Sequence, residues 1–302
     1  MQEESTTITQ GNGTFSLRVS SPDAAHLVRV IHQGVNYDQK ADASGRVDVE
    51  VFDAVDRVPG LAARVSMAQV ESRDTGLLVT EMYEVVNGSS PPVTQRSPAN
   101  FEFSVPSNAT LESFQARRRT GIWVNVQPSQ GPGREGRYAV DYPIRPGDTL
   151  FRFAYRLPYS GTASLKISPA YPLESFAVAH PLALEFKSQH SADFTSPGVS
   201  HGLRLEQLTN KSGLIRDIPA FEISGGASVG MSQQAQNRVE SDTNPAIPTG
   251  AQSTAAPESS GAWGLIVAGV VFLAAIIFAV WRKRAGRQRA ASSMHQITGS
   301  AR

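Results

Sequence analysis

Alternating apolar and polar residues dominate the first 225 positions of the chain. Phe101, Phe103 and Val105 alternate with polar residues, and the run from 151 to 157 alternates in the same way. A period of two places every second side chain on one face, which is typical of strands with one buried and one hydrated face. Clusters of Gly, Pro, Asn and Ser separate these runs. The pattern predicts an all-β fold.

Several runs predict particular elements. We expect strands over residues 14–20, 46–52 and 122–126, where apolar side chains share one face. The runs 138–144 and 151–157 flank the turn residues Arg145 to Asp148, which favours a hairpin. The stretch 109–118 is the best candidate for a short helix before residue 260.

Changes in composition divide the chain into five parts. We expect a partial β-sandwich over 1–57 and a second antiparallel β-sandwich over 58–225. Residues 226–260 are rich in Gly, Ser, Ala, Gln, Thr and Pro and predict a flexible linker of roughly 30 to 35 Å root-mean-square length. The chain has no cysteine, which excludes disulfides, thiolate metal sites and a cysteine nucleophile.

Residues 261–281 carry no charged side chain. About 20 apolar residues in a helix cross the hydrocarbon core of a bilayer, and tryptophan favours the interfaces. Trp263 and Trp281 stand near the two ends of this segment. It is therefore predicted to be a transmembrane helix that holds the protein in a lipid bilayer.

The tail, residues 282–302, predicts the orientation of that helix. It contains Arg282, Lys283 and Arg284 and in total six of the 28 Lys and Arg residues, but none of the 27 Asp and Glu residues. Basic residues next to a span favour the cytoplasmic side. We expect a single-pass protein of the cell membrane, with its N-terminal domains outside the cytoplasm. The alternative, a tail-anchored protein with residues 1–260 in the cytoplasm, places these cations on the wrong side.

Residues 5–33 contain a polar, Gly-rich turn followed by an aromatic-led strand pattern, with Thr9, Gly11, Gly13, Phe15 and Leu17 as the matching positions. This segment resembles the carboxypeptidase regulatory-like, or transthyretin-like, β-sandwich. The segments 89–95 and 142–161, together with the C-terminal anchor, resemble bacterial membrane-anchored proteins that carry such a domain at the N-terminus. The resemblance implies a non-catalytic envelope protein, and sandwiches of this superfamily resemble carbohydrate-binding modules.

The beginning of the chain departs from that family. The family domain opens with one or two further strands, and an exported protein opens with a signal peptide. Residues 1–4 are acidic and have no apolar segment beside them. We therefore expect that the natural chain begins upstream of Met1, and that the first sandwich is incomplete here.

Motifs for catalysis are not evident in the sequence. The six histidines lack metal-ligand spacing, and no phosphate-binding Gly-rich loop or dinucleotide fingerprint occurs. His190, Asp193, Ser196 and His201 lie close in sequence but lack a nucleophile elbow. We expect no enzyme activity, no cofactor, no metal and no nucleic-acid partner.

Two groups of residues are candidates for ligand binding. The basic run Arg117, Arg118 and Arg119 suits an anionic polymer or lipid headgroup, although such a run also suits a solvated strand end. Tyr159 and Tyr171 stand beside prolines and break the alternation, so we expect exposed rings that could stack on sugars.

These observations predict a non-catalytic envelope protein that presents β-sandwich domains for protein interaction or scaffolding. The alternative is a module that binds carbohydrate or cell-wall glycan. Gly264 and Ala268 form a small-residue pair four positions apart, a spacing that favours a homodimer through the membrane helix.

Overall fold

The computed structural model describes residues 5–21, 24–131, 136–188, 193–208 and 213–226. These ranges contain strands and no α-helix, which confirms the all-β prediction. None of their segments is a helix long and apolar enough to cross a membrane. The predicted span 261–281, with Trp263, Trp281 and the basic residues 282–284, lies outside the described residues.

The strands are β1 Leu27–His32, β2 Val35–Lys40, β3 Ala54–Val55, β4 Ala62–Arg73, β5 Gly76–Asn87, β6 Thr94–Gln95, β7 Phe101–Ser104, β8 Thr110–Arg118, β9 Val124–Asn125, β10 Ser129–Gln130, β11 Arg137–Val140, β12 Gly147–Leu157, β13 Thr162–Leu165, β14 Phe176–Pro181, β15 Leu184–Ser188, β16 Phe194–Ser200, β17 Leu203–Leu208 and β18 Phe221–Gly225.

The largest sheet has eight strands in the order β16-β17-β14-β4-β5-β12-β8-β9. Two three-stranded sheets have the orders β10-β11-β7 and β13-β18-β15, and β1-β2 and β3-β6 form pairs. Most ladders are antiparallel as predicted, but β14 pairs with β4, and β3 with β6, in parallel. Parallel neighbours require a crossover, and the chain passes through other sheets between β4 and β14.

The hydrophobic core lies between the eight-stranded sheet and the two three-stranded sheets. Phe151 and Phe153 of β12 face Phe101 and Phe103 of β7, with ring centroids 4.3 Å apart for Phe101 and Phe151 and 4.2 Å apart for Phe103 and Phe153. Phe221 of β18 belongs to the same cluster. Because these large rings are buried, they supply much of the apolar area that stabilises the fold.

The predicted hairpin around residues 145–148 is wrong. β11 pairs with β7 and β10, whereas β12 pairs with β5 and β8, so the chain changes sheets between residues 140 and 147. Ile144 in this crossing makes an isolated bridge to Gln95. Pro143 and Pro146 have no N–H group for a continuous ladder, which explains why the strand pattern ends there.

Three further local predictions need correction. Residues 110–118 form β8 and not a helix: the segment pairs with β12, and Leu111, Phe114 and Ala116 pack against the core on either side of a shift in the strand register. The expected strand over 122–126 is reduced to Val124–Asn125. The segments 14–20 and 46–52 carry no strand, although Phe15 and Leu17 are half-buried as the alternation suggested. Alternation favours an extended segment, but a β-strand also requires a neighbouring strand with which it can pair.

The segment before residue 57 is joined to the rest by backbone and side-chain hydrogen bonds. In the β3-β6 pair, the Thr94 N–H donates to the Asp53 carbonyl over 2.8 Å, and the Arg96 N–H donates to the Val55 carbonyl over 2.8 Å. The buried Tyr37 hydroxyl of β2 lies 3.0 Å from the Thr94 hydroxyl. The β1-β2 hairpin is thus held against the strands that follow the predicted boundary.

Candidate ligand-binding surface on the outer sheet face

One face of the eight-stranded sheet is turned away from the core, and we call it the outer face. Along β12 the residues Phe151 and Phe153 are buried, while Arg152 between them points to the outer face. The strand register places Arg152 opposite Gln115 of β8 and Met82 of β5. The outer face therefore carries a basic residue at the centre of three neighbouring strands.

Two arginines and a tryptophan meet on this face. The guanidinium carbon of Arg117 lies 4.6 Å from the centroid of the Trp123 ring, and that of Arg152 lies 4.5 Å from it. Both distances fit a cation–π contact. Trp123 is half-buried and directly precedes β9, which pairs with β8 beside Arg117. We call Arg117, Trp123 and Arg152 the basic–aromatic cluster.

The positive charge of the basic–aromatic cluster is not balanced by a carboxylate. Within the described part of the chain, neither Arg117 nor Arg152 forms an ion pair, and the buried Nε of Arg117 has no hydrogen-bond partner. Burial lowers the pKa of both guanidinium groups, and the charge of Arg117 lowers that of Arg152 further. An anion placed here would relieve both the repulsion and the unsatisfied donor.

Amide groups flank the cluster. Arg152 donates a hydrogen bond to Oε1 of Gln115, and Nε2 of Gln115 donates to Oδ1 of Asn125 over 2.8 Å. On the other side lies a small apolar cluster of the outer face, against which Trp123 packs. Its members are Met67, Met82, Ala177, Ala179 and Leu205, with Leu203 at its margin.

The structure separates the predicted basic run 117–119. Arg117 joins the basic–aromatic cluster, whereas Arg118 is exposed and points to the opposite side of β8. Arg119 donates hydrogen bonds to Asp148 and, over 2.6 Å, to Glu84. The hydrogen bond with Asp148 raises the pKa of Arg119. Arg119 is therefore part of a structural ion-pair network.

Tyr159 and Tyr171 are engaged in hydrogen bonds within the protein. The Tyr159 hydroxyl donates to the Gly225 carbonyl over 2.6 Å, and burial raises its pKa. The Tyr171 hydroxyl donates to the Asn100 carbonyl, and its ring centroid lies 6.1 Å from that of Phe101. Burial raises the pKa of Tyr171 to about 12. Both rings pack against the core, and their hydrogen bonds are to residues outside the basic–aromatic cluster.

Sequence reasoning missed Trp123 and Arg152. Each lies between two apolar residues that were used to predict the buried face of a strand: Trp123 between Ile122 and Val124, and Arg152 between two phenylalanines. The available signal was a large aromatic or charged residue at the polar phase of an alternating pattern.

Among the described residues, no group of three or more His, Cys, Asp and Glu side chains is placed to hold a metal ion. Asp193, Ser196 and His201 lie in or near the edge strand β16 and the turn after it, and His190 lies outside the described residues. The expectation of a non-catalytic protein stays a prediction.

Comparisons with known proteins give little further information. No protein-family model and no curated protein match the chain. Three crystal structures of an M1 zinc metallopeptidase from Deinococcus radiodurans are similar at 14% identity and a TM-score of 0.32, and one of them has a bound Tyr-Ser-Ala substrate. The likeness covers 55% of this chain and 42% or 43% of theirs. At this TM-score it says nothing about the activity of this chain.

Proposed function

We propose that this chain is a non-catalytic, single-pass membrane protein of a bacterial envelope that binds an acidic protein partner with the outer face of its eight-stranded sheet. The uncharged segment 261–281 and the basic residues after it support the anchor. In this proposal the two β-sandwich domains stand on the linker 226–260 outside the cytoplasm, and the tail 282–302 lies inside.

The observation that carries the binding role is the uncompensated charge of the basic–aromatic cluster. Arg117 and Arg152 lie on neighbouring strands, share one tryptophan ring and form no ion pair in the described part of the chain. Tryptophan and arginine are among the residue types that are enriched at protein interfaces. A partner with clustered carboxylates would complement this surface in charge.

Fluorescence of Trp123 tests this role in the full chain. The chain has three tryptophans, so Trp263→Phe and Trp281→Phe leave Trp123 as the only one. In detergent, poly-L-glutamate is expected to change the fluorescence of Trp123 in a saturable way, and this binding should be weaker at high salt. Combined Arg117→Gln and Arg152→Gln should weaken this binding at least about tenfold.

The matched control is combined Arg118→Gln and Arg137→Gln, which removes the same charge from two exposed positions. This variant should bind poly-L-glutamate like the parent. Equal loss in both double variants would mean that only net charge matters, and it would refute a site on the outer face.

The second candidate function is binding of an acidic glycan. It is favoured by the hydrogen-bonded amides of Gln115 and Asn125 beside a half-buried indole, because amides and aromatic rings are the groups that bind sugar hydroxyls and sugar faces. Polygalacturonate in the same titration separates the two functions. Tighter binding of polygalacturonate than of poly-L-glutamate at equal charge, lost on Trp123→Leu, would favour the glycan.

The remaining sequence predictions enter this proposal without a structural test. They are the relationship to the carboxypeptidase regulatory-like family, the division into two sandwiches, and a homodimer through Gly264 and Ala268. The described hydrogen bonds across residue 57 are compatible with two domains in close contact.

A further inference from the structure

A cleft lies between the β1-β2 hairpin and the chain segment that crosses from β11 to β12. Its volume is about 350 Å³, which is in the range of sites for small molecules. None of its lining residues belongs to the basic–aromatic cluster. The lining residues are Gly34, Asn36, Asp38, Arg96, Val124, Asp141, Tyr142, Pro143 and Arg145.

The cleft contains a buried cation. Arg145 is only 9% exposed, it donates a hydrogen bond to the Asn36 carbonyl, and its guanidinium carbon lies 5.3 Å from the centroid of the Tyr37 ring. It forms no ion pair with a carboxylate in the described part of the chain. Burial lowers the pKa of Arg145. A guanidinium in this setting gains from an anionic partner, since burying an unpaired charge is costly.

Two more arginines add positive charge, Arg96 in the lining of the cleft and Arg118 near Arg145. Arg118 is close enough that its charge also lowers the pKa of Arg145, and Arg96 donates a hydrogen bond of 3.1 Å from Nε to the Gly34 carbonyl. Of the two acidic residues in the lining, Asp38 is already paired with Arg29 over 2.8 Å. Asp141 is exposed. Cations therefore exceed the free carboxylates at this cleft.

We propose that the cleft binds a small ligand through an oxyanion, a carboxylate or a phosphate group, held by the two arginines of its lining, Arg145 and Arg96. The planar fork of a guanidinium matches both groups through paired N–H donors. Arg145 and Arg96 also hold carbonyl groups of the β1-β2 hairpin. A bound anion is thus expected to strengthen the attachment of the hairpin.

The test uses the full chain in detergent, with inorganic phosphate and succinate as probes and sodium chloride at equal ionic strength as the reference. Calorimetric titration should show saturable binding of at least one probe, together with a rise in the thermal unfolding midpoint. Phosphate alone would identify a phosphate-bearing ligand, and succinate alone a carboxylate-bearing one; binding of both would identify the shared oxyanion.

Two variants locate the binding. Arg145→Gln should weaken it about tenfold or more, and Arg96→Gln, which changes an exposed side chain of the lining, should weaken it several-fold while leaving the circular dichroism spectrum unchanged. If Arg145→Gln does not fold, Arg96→Gln decides. Arg137→Gln is the control, because it removes an exposed positive charge that does not line the cleft, and it should bind like the parent.

Two results would overturn the proposal. One is that neither probe binds more tightly than chloride. The other is that Arg96→Gln retains full affinity, or loses no more than Arg137→Gln, which would show general attraction to a basic surface. Neither result depends on poly-L-glutamate binding to the outer face, so the two proposals fail separately.

Discussion

The Tyr155 hydroxyl donates a hydrogen bond of 3.0 Å to the carboxyl group of Glu81 inside the core. Tyr83 donates a second one of 2.9 Å, and Glu81 is only 3% exposed. No ion pair to a cation compensates this carboxyl group in the described part of the chain. Burial raises its pKa to about 7, against the lowering effect of the two hydroxyl groups. The core therefore contains a titratable group near neutral pH.

This carboxyl group should make stability depend on pH. The pKa of Glu81 is about 7 in the folded chain and 4.5 as an ordinary value. The folded chain thus holds the proton more tightly, so stability falls as the pH rises from about 4.5 through about 7, by about 3 kcal/mol. Glu81→Gln should remove this loss, so that the variant gains most over the parent at pH 8. Urea unfolding of both chains from pH 5 to 8 measures the difference. Parallel pH profiles would contradict the assignment.

The turn between β4 and β5 should tolerate only glycine at residue 76. Gly76 has a φ of +135°, and a Cβ atom there would lie 2.2 Å from the Leu157 carbonyl oxygen. Gly76→Ala is expected to lower the free energy of unfolding by at least about 2 kcal/mol. Gly88→Ala, at a position with open space around it, should change it by less than about 0.5 kcal/mol. Denaturant unfolding of the two variants compares them directly, and similar losses would show that the close approach at Leu157 does not matter.

Arg119 should matter for stability more than its neighbour Arg118. Arg119 binds Asp148 and Glu84, whose side chains are 15% and 17% exposed, and Arg64 contacts the same two carboxylates over 3.5 and 3.1 Å. Arg119→Gln is expected to cost about 1 kcal/mol, because partly buried carboxylates lose a charged donor. Arg118→Gln is the matched control and should cost less than about 0.5 kcal/mol. Thermal unfolding of the parent and both variants at low and high salt measures these costs, and the difference between the two variants should be smaller at high salt. A larger cost for Arg118→Gln than for Arg119→Gln would contradict a stabilising role of the ion pairs that Arg119 forms.

The sequence predicted which face of a strand is buried better than it predicted which strands pair with each other. Phe151, Phe153 and Tyr155 share the buried face that their alternation indicated. β12, however, pairs with β5, which lies more than fifty residues earlier, and no local pattern encodes such a ladder. The crossing at Ile144 therefore looked like a hairpin turn, because its Pro and Gly residues suit either role.

The candidate site could be predicted only in part for the same reason. Arg117 was found because it belongs to a run of three basic residues. Its neighbours Trp123 and Arg152 come from other segments, and only the strand register brings them together. Arg145 appeared to be a turn residue, and its burial depends on the packing of the β1-β2 hairpin against it.

Site-directed labelling tests the central claim, an anchored protein with its β domains outside the cytoplasm. Because the chain has no cysteine, single cysteines can be placed by Ala43→Cys in an exposed turn and by Ser293→Cys in the tail, at the native chromosomal locus. In intact spheroplasts a membrane-impermeant maleimide should label the first variant fully and the second only after permeabilisation. Labelling in the reverse order, or recovery of the chain in the soluble fraction after lysis without detergent, would contradict the account.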